Sequence, residues 1–193
     1  MQRSWRTDCD KLTFIACLPL SHRNENEHEK EHGEEMRSML LAGKEDSPER
    51  MIGDVNLFLT PADEDEEGCI GELELMIAPT SLRRRGYGRA AILTFLGYIE
   101  RNFEEILEEY RKGRGMEGKM KLLMLRVKIG GSNERSIGLF EGIGFVKMGE
   151  GENWFGEVEL VFEGTIGKGR AEGLMERFGV VEYRELSYVE AER

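Results

Sequence analysis

The order of apolar and polar positions predicts three strands in the first part of the chain. Residues 12–18 are almost continuously apolar, which is typical of a strand buried on both faces, and residues 51–60 have a similar character. In residues 72–77 polar and apolar side chains alternate, so the leucines occupy one face and the glutamates the other. Successive strands joined by loops predict an antiparallel meander.

A helix pattern replaces the strand pattern after Gly88. Apolar residues then recur at every third or fourth position, on a stripe formed by Ile92, Leu96, Ile99, Phe103, Ile106 and Tyr110. Residues 120–129 predict the next strand, which a strand–helix–strand connection places parallel to residues 72–77. Asn133 then predicts the N-cap of a short helix. A closing pair of strands follows at residues 145–148 and 154–162.

The predicted order, β-β-β-α-β-α-β-β, indicates an α/β fold with a mixed central sheet. A chain of 193 residues with 39% hydrophobic content can bury the core of one domain, which we expect to cover residues 1–163. Residues 21–50 form an acidic insertion whose first part lacks apolar spacing. Residues 164–193 are a weakly patterned C-terminal tail, with one short helix predicted around residues 171–178.

A loop rich in glycine and arginine lies between the third strand and the long helix. We call it the RG loop; it consists of Arg83, Arg84, Arg85, Gly86, Tyr87, Gly88 and Arg89. A helix N-terminus offers unpaired N–H groups and partial positive charge, and glycine lets an anion approach the backbone. Four arginines in this loop contrast with a net charge of −11 for the chain. The pattern predicts a phosphate or pyrophosphate site; the alternative is a solvent-exposed basic loop.

The spacing R-x-x-G-x-G, filled by Arg83, Gly86 and Gly88, resembles the acyl-coenzyme A loop of the GNAT superfamily of N-acetyltransferases. Four segments in order look like the N-acetyltransferase 9-like family: MQRSWRTDCDKLTFIACL, IGDVNLFLT, GELELMIAP and KIGGSNERSIGLFEGIGF. The resemblance covers most of residues 1–164 outside the acidic insertion. It implies the GNAT fold, with acetyl-CoA as co-substrate. It also implies transfer of the acetyl group to an amine, which we expect to belong to a protein.

The resemblance also assigns residues to the cofactor. In the family the central strand and the following strand splay apart, and the pantetheine arm pairs with the central strand in the space between them. Met76, Ile77 and Ala78 match the positions that make those contacts, and a backbone N–H near Met76 would hold the oxyanion. Asn133 matches an asparagine that contacts the cofactor; its alternative role is that of a helix cap alone.

The attacking amine needs a base, because amines are mostly protonated at neutral pH. Glu72 and Glu74 lie two residues apart on a strand and therefore share a face. By resemblance Glu72 ranks first as the catalytic base and Glu74 second; the alternative is that both simply face water. Phe140 matches the position where many GNAT enzymes have a tyrosine that protonates the departing thiolate, so the resemblance implies that Phe140 borders the cofactor. A phenylalanine has no proton to donate.

A rival interpretation is a non-catalytic interaction or scaffold protein that keeps the GNAT fold. Phe140 favours it, since the expected proton donor is missing there. The position of Met1 also favours it, because the family is already entering its second strand at this point. We therefore expect the N-terminal strand and helices of the family to be lacking. The rival predicts no turnover on any amine.

Two other motifs match known sites without their usual surroundings. His28 and His32 fit the zinc pattern HExxH, but they sit in a charged stretch with no apolar face. The spacing Gly86-x-Gly88-x-x-Ala91 fits the dinucleotide fingerprint, which requires its glycines immediately after a strand. We expect neither a metal nor a dinucleotide.

Composition limits the classes of binding partner and the cellular compartments that we expect for this chain. The acidic balance argues against nucleic acid, and no apolar run is long enough for a membrane span. Cys9, Cys17 and Cys69 have no metal-binding spacing, which favours a reducing compartment. We expect acetyl-CoA and an amine-bearing acceptor, no nucleic acid and no membrane, in the cytoplasm with the nucleus as an alternative.

Overall fold

The computed structural model describes residues 7–19, 39–43, 46–62, 65–162, 169–180 and 183–189. In chain order the elements are β1 (Lys11–Cys17), β2 (Met39–Leu41), β3 (Met51–Ala62), β4 (Asp65–Ile77), α1 (Tyr87–Arg101), α2 (Phe103–Gly113), β5 (Lys121–Gly130), α3 (Glu134–Gly142), β6 (Phe145–Met148), β7 (Glu157–Phe162), α4 (Arg170–Arg177) and β8 (Ser187–Val189). Two 3₁₀ turns, Pro48–Arg50 and Thr80–Leu82, precede β3 and the RG loop.

Six strands form one mixed sheet, in the order β1-β3-β4-β5-β7-β6. The β1–β3 and β3–β4 pairs are antiparallel, which confirms the predicted meander. β4 and β5 are parallel, which confirms the crossover through α1 and α2, and β7 pairs antiparallel with both β5 and β6. The predicted α/β fold is confirmed, because this sheet and its helices follow the predicted order of elements.

The alternating pattern in β4 separates a core face from an open face of the sheet. Leu73 is 2% exposed in the core, whereas Met76 on the opposite face is 51% exposed. Helices α1 and α3 supply the facing part of the core, including Ile92, Leu96 and Phe140. Burial of these apolar side chains is the main force that holds the helices on the sheet. The core thereby fixes where the N-terminus of each helix stands relative to the strands.

The predicted single long helix is two helices. α1 ends at Arg101 and α2 begins at Phe103. Between them the Asn102 side chain donates a hydrogen bond from Nδ2 to the Tyr98 carbonyl, at 2.9 Å, and its backbone N–H donates to the same oxygen, at 3.0 Å. Asparagine favours such local side-chain bonds over continued helix, which explains the break. Leu107 and Tyr110 still reach the core from α2.

The segment expected to be a tail packs against the rest of the domain where the structure describes it. α4 lies on α1, with Ala171 and Met175 each 4% exposed. β8 pairs in parallel with β2, which lies within the predicted insertion. Most of that insertion, residues 21–38 and 44–45, falls outside the described residues. In the part of the chain that the structure describes, no helix has the length and apolarity needed to span a bilayer.

Candidate active site between β4 and β5

β4 and β5 separate partway along their length. The last paired residues are Glu72 on β4 and Arg126 on β5. Beyond them β4 continues to Ile77 alongside β3, and β5 continues to Gly130 alongside β7, with no pairing between the two. We call this opening the β4–β5 gap. Unpaired strand backbone along such an opening can bind an extended ligand by adding it as a further strand, as the resemblance implies.

A register irregularity comes just before the gap. Cys69 lies opposite Leu122, whereas Ile70 lies opposite Met124, so Leu123 has no opposing residue on β4. An extra residue of this kind increases local twist and helps two strands to diverge.

The first turn of α1 lies against the gap. A Cβ atom placed on Gly88 would lie 3.5 Å from Leu75 Cδ2, 3.8 Å from Ile77 Cγ1 and 3.9 Å from Leu139 Cδ2. Leu75 and Ile77 belong to the unpaired part of β4, and Leu139 belongs to α3. Three elements therefore converge at Gly88, and the N-terminal end of α1 is directed toward the mouth of the gap.

The backbone of the RG loop is shaped for anion binding. Arg84 has φ 65° and Gly86 has φ 89°, both in the left-handed region. Left-handed residues in a turn direct successive N–H groups into one concavity. The N–H groups at the start of a helix have no intrahelical partner, and no side chain caps α1 to satisfy them. An anion placed there would satisfy these donors and interact favourably with the helix dipole.

The arginines of the RG loop have different roles. Arg83 turns back to the strand end, where its guanidinium donates to the carbonyls of Ile77, at 2.8 Å, and Ala78, at 3.0 Å. Arg84 and Arg85 are exposed, and among the described residues neither forms an ion pair with a carboxylate. Positive charge at a helix N-terminus is unfavourable without an anion. Arg83 therefore fixes the loop, while Arg84 and Arg85 remain available to a phosphate.

The predicted pantetheine contacts, Met76, Ile77 and Ala78, lie at the end of β4 beside the gap. Sequence reasoning missed Gly53 on β3, which lies against the same stretch. A Cβ atom on Gly53 would collide with the Met76 carbonyl oxygen, so only glycine fits. The available signal was a glycine inside a strand pattern, which often marks a close backbone approach. β3 thus supports the β4 backbone directly behind the predicted oxyanion position.

Glu72 and Glu74 share the open face, as predicted, but their surroundings differ. Glu72 stands at the inner end of the gap, where its Oε2 is 3.0 Å from Arg126 Nε and 2.9 Å from Lys128 Nζ. Glu74 is exposed, and in the described part of the chain no cation pairs with it. Arg126 also reaches Glu159 on β7, at 3.6 Å. The carboxylate of Glu72 is thus held in a network, and that of Glu74 is open to solvent.

Sequence reasoning also missed a group of hydrogen-bonded polar side chains centred on Asn56 of β3. Asn56 is only 6% exposed, and its side chain accepts from Thr13 Oγ1, at 2.7 Å, and donates to Asp54 Oδ2, at 2.8 Å. Asp54 lies opposite Met76 in the β3–β4 register. Burying an asparagine costs free energy unless it is hydrogen-bonded, so these hydrogen bonds hold the Asp54 carboxylate in a fixed place on β3, which is separated from the gap by β4.

The last two predicted residues lie on α3. Asn133 is its N-cap, since Asn133 Oδ1 accepts from the Ser136 N–H at 3.2 Å, and the loop before it continues directly from β5. Phe140 is 4% exposed and packs edge-to-face on Phe145, with ring centroids 5.1 Å apart. The structure therefore shows the capping role of Asn133 and a core role for Phe140. A cofactor contact by either residue stays a prediction.

Cys69 is buried in the core, in the part of β4 that still pairs with β5, and its thiol is a poor candidate for a nucleophile. Burial raises the pKa of its thiol to about 11, so the thiol stays protonated near neutral pH. A protonated buried thiol is a poor nucleophile. The site therefore favours direct attack by an acceptor over a covalent cysteine intermediate. The two histidines of the zinc pattern, His28 and His32, lie outside the described residues.

Comparison with known proteins identifies the family. An N-acetyltransferase 9-like protein of Schizosaccharomyces pombe is 38% identical over 181 residues, covering 83% of this chain and 73% of that protein. The chain belongs to the N-acetyltransferase 9-like family. Its relatives are named N-acetyltransferases, so the family resemblance read from the sequence is confirmed. No protein-family model matches the chain.

Other relatives in the N-acetyltransferase 9-like family are longer than the matched region. The human protein named alpha/beta-tubulin-N-acetyltransferase 9 is 32% identical over 182 residues, which cover 94% of this chain and 69% of that protein. A relative from Nematostella vectensis is 33% identical, and the match covers only 63% of it. Among solved structures, Arabidopsis thaliana NAA60 with a bisubstrate analogue has a TM-score of 0.47 at 15% identity. That match covers 79% of this chain and 76% of NAA60.

Proposed function

We propose that this chain transfers the acetyl group of acetyl-CoA to an amine of a protein, with tubulin as the first acceptor to test. The observation that carries the transfer is the β4–β5 gap, which opens after Glu72 and Arg126 and is bordered by the first turn of α1. We choose tubulin because the names of the human, mouse and Drosophila melanogaster relatives contain it. We place the reaction in the cytoplasm, with the nucleus as the alternative.

The residues around the gap fit acetyl-CoA. The free N–H groups of the first α1 turn, together with Arg84 and Arg85, provide a site for its pyrophosphate. β4 beyond Glu72, which does not pair with β5, provides a strand edge for its amide-bearing arm. The donor supplies an activated acetyl thioester. The chain's own residues orient it and deliver the acceptor amine to it.

The transfer needs a base and a route for the leaving group. The amine nitrogen forms a bond to the acetyl carbon, the carbon–sulfur bond breaks, and the amine loses a proton. We assign that proton to the open-face carboxylates, with Glu72 first and Glu74 second. The thiolate leaves without help from Phe140, because thiols have a pKa of about 8.5 and their anions are stable enough to depart. The amine is drawn to this face by Glu74 and by Asp54, which Asn56 holds in place.

The test compares the acetylation of tubulin by the wild-type chain, the Glu72→Gln variant and the Glu74→Gln variant, measured by mass spectrometry. We expect Glu72→Gln to lower kcat by about a hundredfold, the scale of a lost general base, with acetyl-CoA affinity unchanged. The variant keeps its fold, because Arg126 retains Glu159 as a partner. Glu74→Gln makes the same chemical change two residues away on the same face, and it should lower kcat less than Glu72→Gln because Glu74 ranks second as the base. A Glu72→Gln enzyme with wild-type kcat would remove Glu72 from this role.

A further inference from the structure

Among the described residues, Arg89 is the one arginine of the RG loop that contacts an aromatic ring. The ring belongs to Phe178, the residue that follows α4. The guanidinium carbon of Arg89 lies 4.6 Å from the centroid of the Phe178 ring, within range of a cation–π interaction. Arg89 is in the first turn of α1, and helix side chains lean toward the N-terminus of their helix. The guanidinium is therefore held near the end of α1 where the anion site lies.

Phe178 is itself held firmly at the end of α4. Its N–H donates to the Leu174 carbonyl at 3.1 Å, and the turn closes with Gly179, at φ 68°, and a 2.8 Å bond from the Val180 N–H to the Met175 carbonyl. This is the pattern of a helix end closed by a left-handed glycine. The ring also packs against the hydrophobic core. The position of Phe178 is thus fixed by α4 as a whole.

α4 is in turn anchored to α1 at two points. The Glu100 carboxylate on α1 accepts from the backbone N–H groups of Arg170, at 3.2 Å, and Ala171, at 3.0 Å, so it caps the start of α4. Further along, Met175 packs against Gly97, where a Cβ atom would lie 3.0 Å from the methionine methyl carbon. These contacts link the C-terminal segment to the same helix whose first turn forms the anion site.

We propose that Phe178 is a positioning residue for acetyl-CoA, and that α4 is a working part of the cofactor site. Phe178 holds the Arg89 guanidinium toward the phosphates, and Arg177, whose guanidinium carbon is 5.1 Å from the same ring, adds a second cation beside it. With the ring in place, the Arg89 side chain is already ordered before the cofactor binds. Without the ring, binding itself would have to order this side chain, and the entropy cost would weaken binding. This inference rests on the proposed function, because it requires acetyl-CoA to bind at the RG loop.

The test is a double-mutant cycle read by calorimetry with acetyl-CoA. We expect Phe178→Leu, which keeps the apolar bulk but removes the aromatic face, to weaken binding about three- to fivefold, the scale of an exposed cation–π contact. Phe178→Tyr keeps the face and should bind within twofold of the wild type. In the Arg89→Gln background, Phe178→Leu should have no further effect, since its partner is already gone.

Two results would overturn the inference while leaving the proposed function intact. One is wild-type affinity in Phe178→Leu. The other is an equal loss from Phe178→Leu with and without Arg89, because that pattern indicates a general structural defect and no specific coupling. A folded wild-type chain that does not bind acetyl-CoA at all would instead overturn the proposed function, and this inference with it.

Discussion

Replacing Gly88 by aspartate tests the anion site most sharply. A Cβ atom at this position meets Leu75, Ile77 and Leu139 at 3.5 to 3.9 Å, which is ordinary van der Waals contact. The Cβ atom itself therefore fits without displacing a neighbour. A side chain in the first turn leans toward the helix N-terminus, so the aspartate carboxylate occupies the place of the phosphate. Negative charge in the first turn also favours the helix, by about 0.3 to 1 kcal/mol.

The expected loss of affinity follows from Coulomb's law. Two like unit charges about 5 Å apart, at an effective dielectric constant of about 20, repel by about 3 kcal/mol. Since about 1.4 kcal/mol is a tenfold change, Gly88→Asp should weaken acetyl-CoA binding by at least a hundredfold.

Gly88→Asn is the matched control, because it has almost the same shape without the charge. Calorimetry with acetyl-CoA measures all three proteins, and thermal melting checks that each is folded. We expect the asparagine variant to bind much more tightly than the aspartate variant, and the difference between them to shrink at high salt. Equal affinities for the two variants would refute the placement of the phosphates at the first turn of α1.

Two further predictions concern stability. Asn133→Ala should lower the free energy of unfolding in urea by about 1 kcal/mol, because the cap to Ser136 is lost, while Asn133→Asp should keep it; equal losses would contradict the cap. Cys69 has a pKa raised by burial to about 11, from an ordinary 9.0, so the folded protein holds a proton that the unfolded chain releases. The free energy of unfolding should therefore fall as pH rises from 9 toward 11, and Cys69→Ala should flatten that fall. An equally steep fall in the variant would contradict the role of Cys69.

Much of the sheet was predictable because strand and helix periods are local properties of the sequence. The alternation in residues 72–77 correctly separated buried Leu73 from exposed Met76. The cap at Asn133 was predictable for the same reason, since it depends on its own neighbours. The break at Asn102 was missed, because an apolar stripe continues across it and the pattern of apolar residues does not register a side-chain bond to Tyr98.

The site was less predictable, because its geometry depends on contacts between distant segments. The β4–β5 gap follows from where pairing stops, at Glu72 and Arg126, and nothing in either strand alone marks that point. The direction of Arg83 toward the β4 carbonyls was equally hidden. The role of α4 was missed since its sequence is polar, and its docking uses a backbone cap by Glu100 that no hydrophobic pattern shows.

The most direct test of the account is calorimetry of the purified wild-type chain with acetyl-CoA, with NAD as the control ligand. The RG loop and the β4–β5 gap together predict binding of acetyl-CoA in the micromolar range, weaker at high salt, and no binding of NAD. A well-folded chain that binds neither ligand, or that binds NAD as tightly as acetyl-CoA, would contradict the central claim that this opening is an acetyl-CoA site.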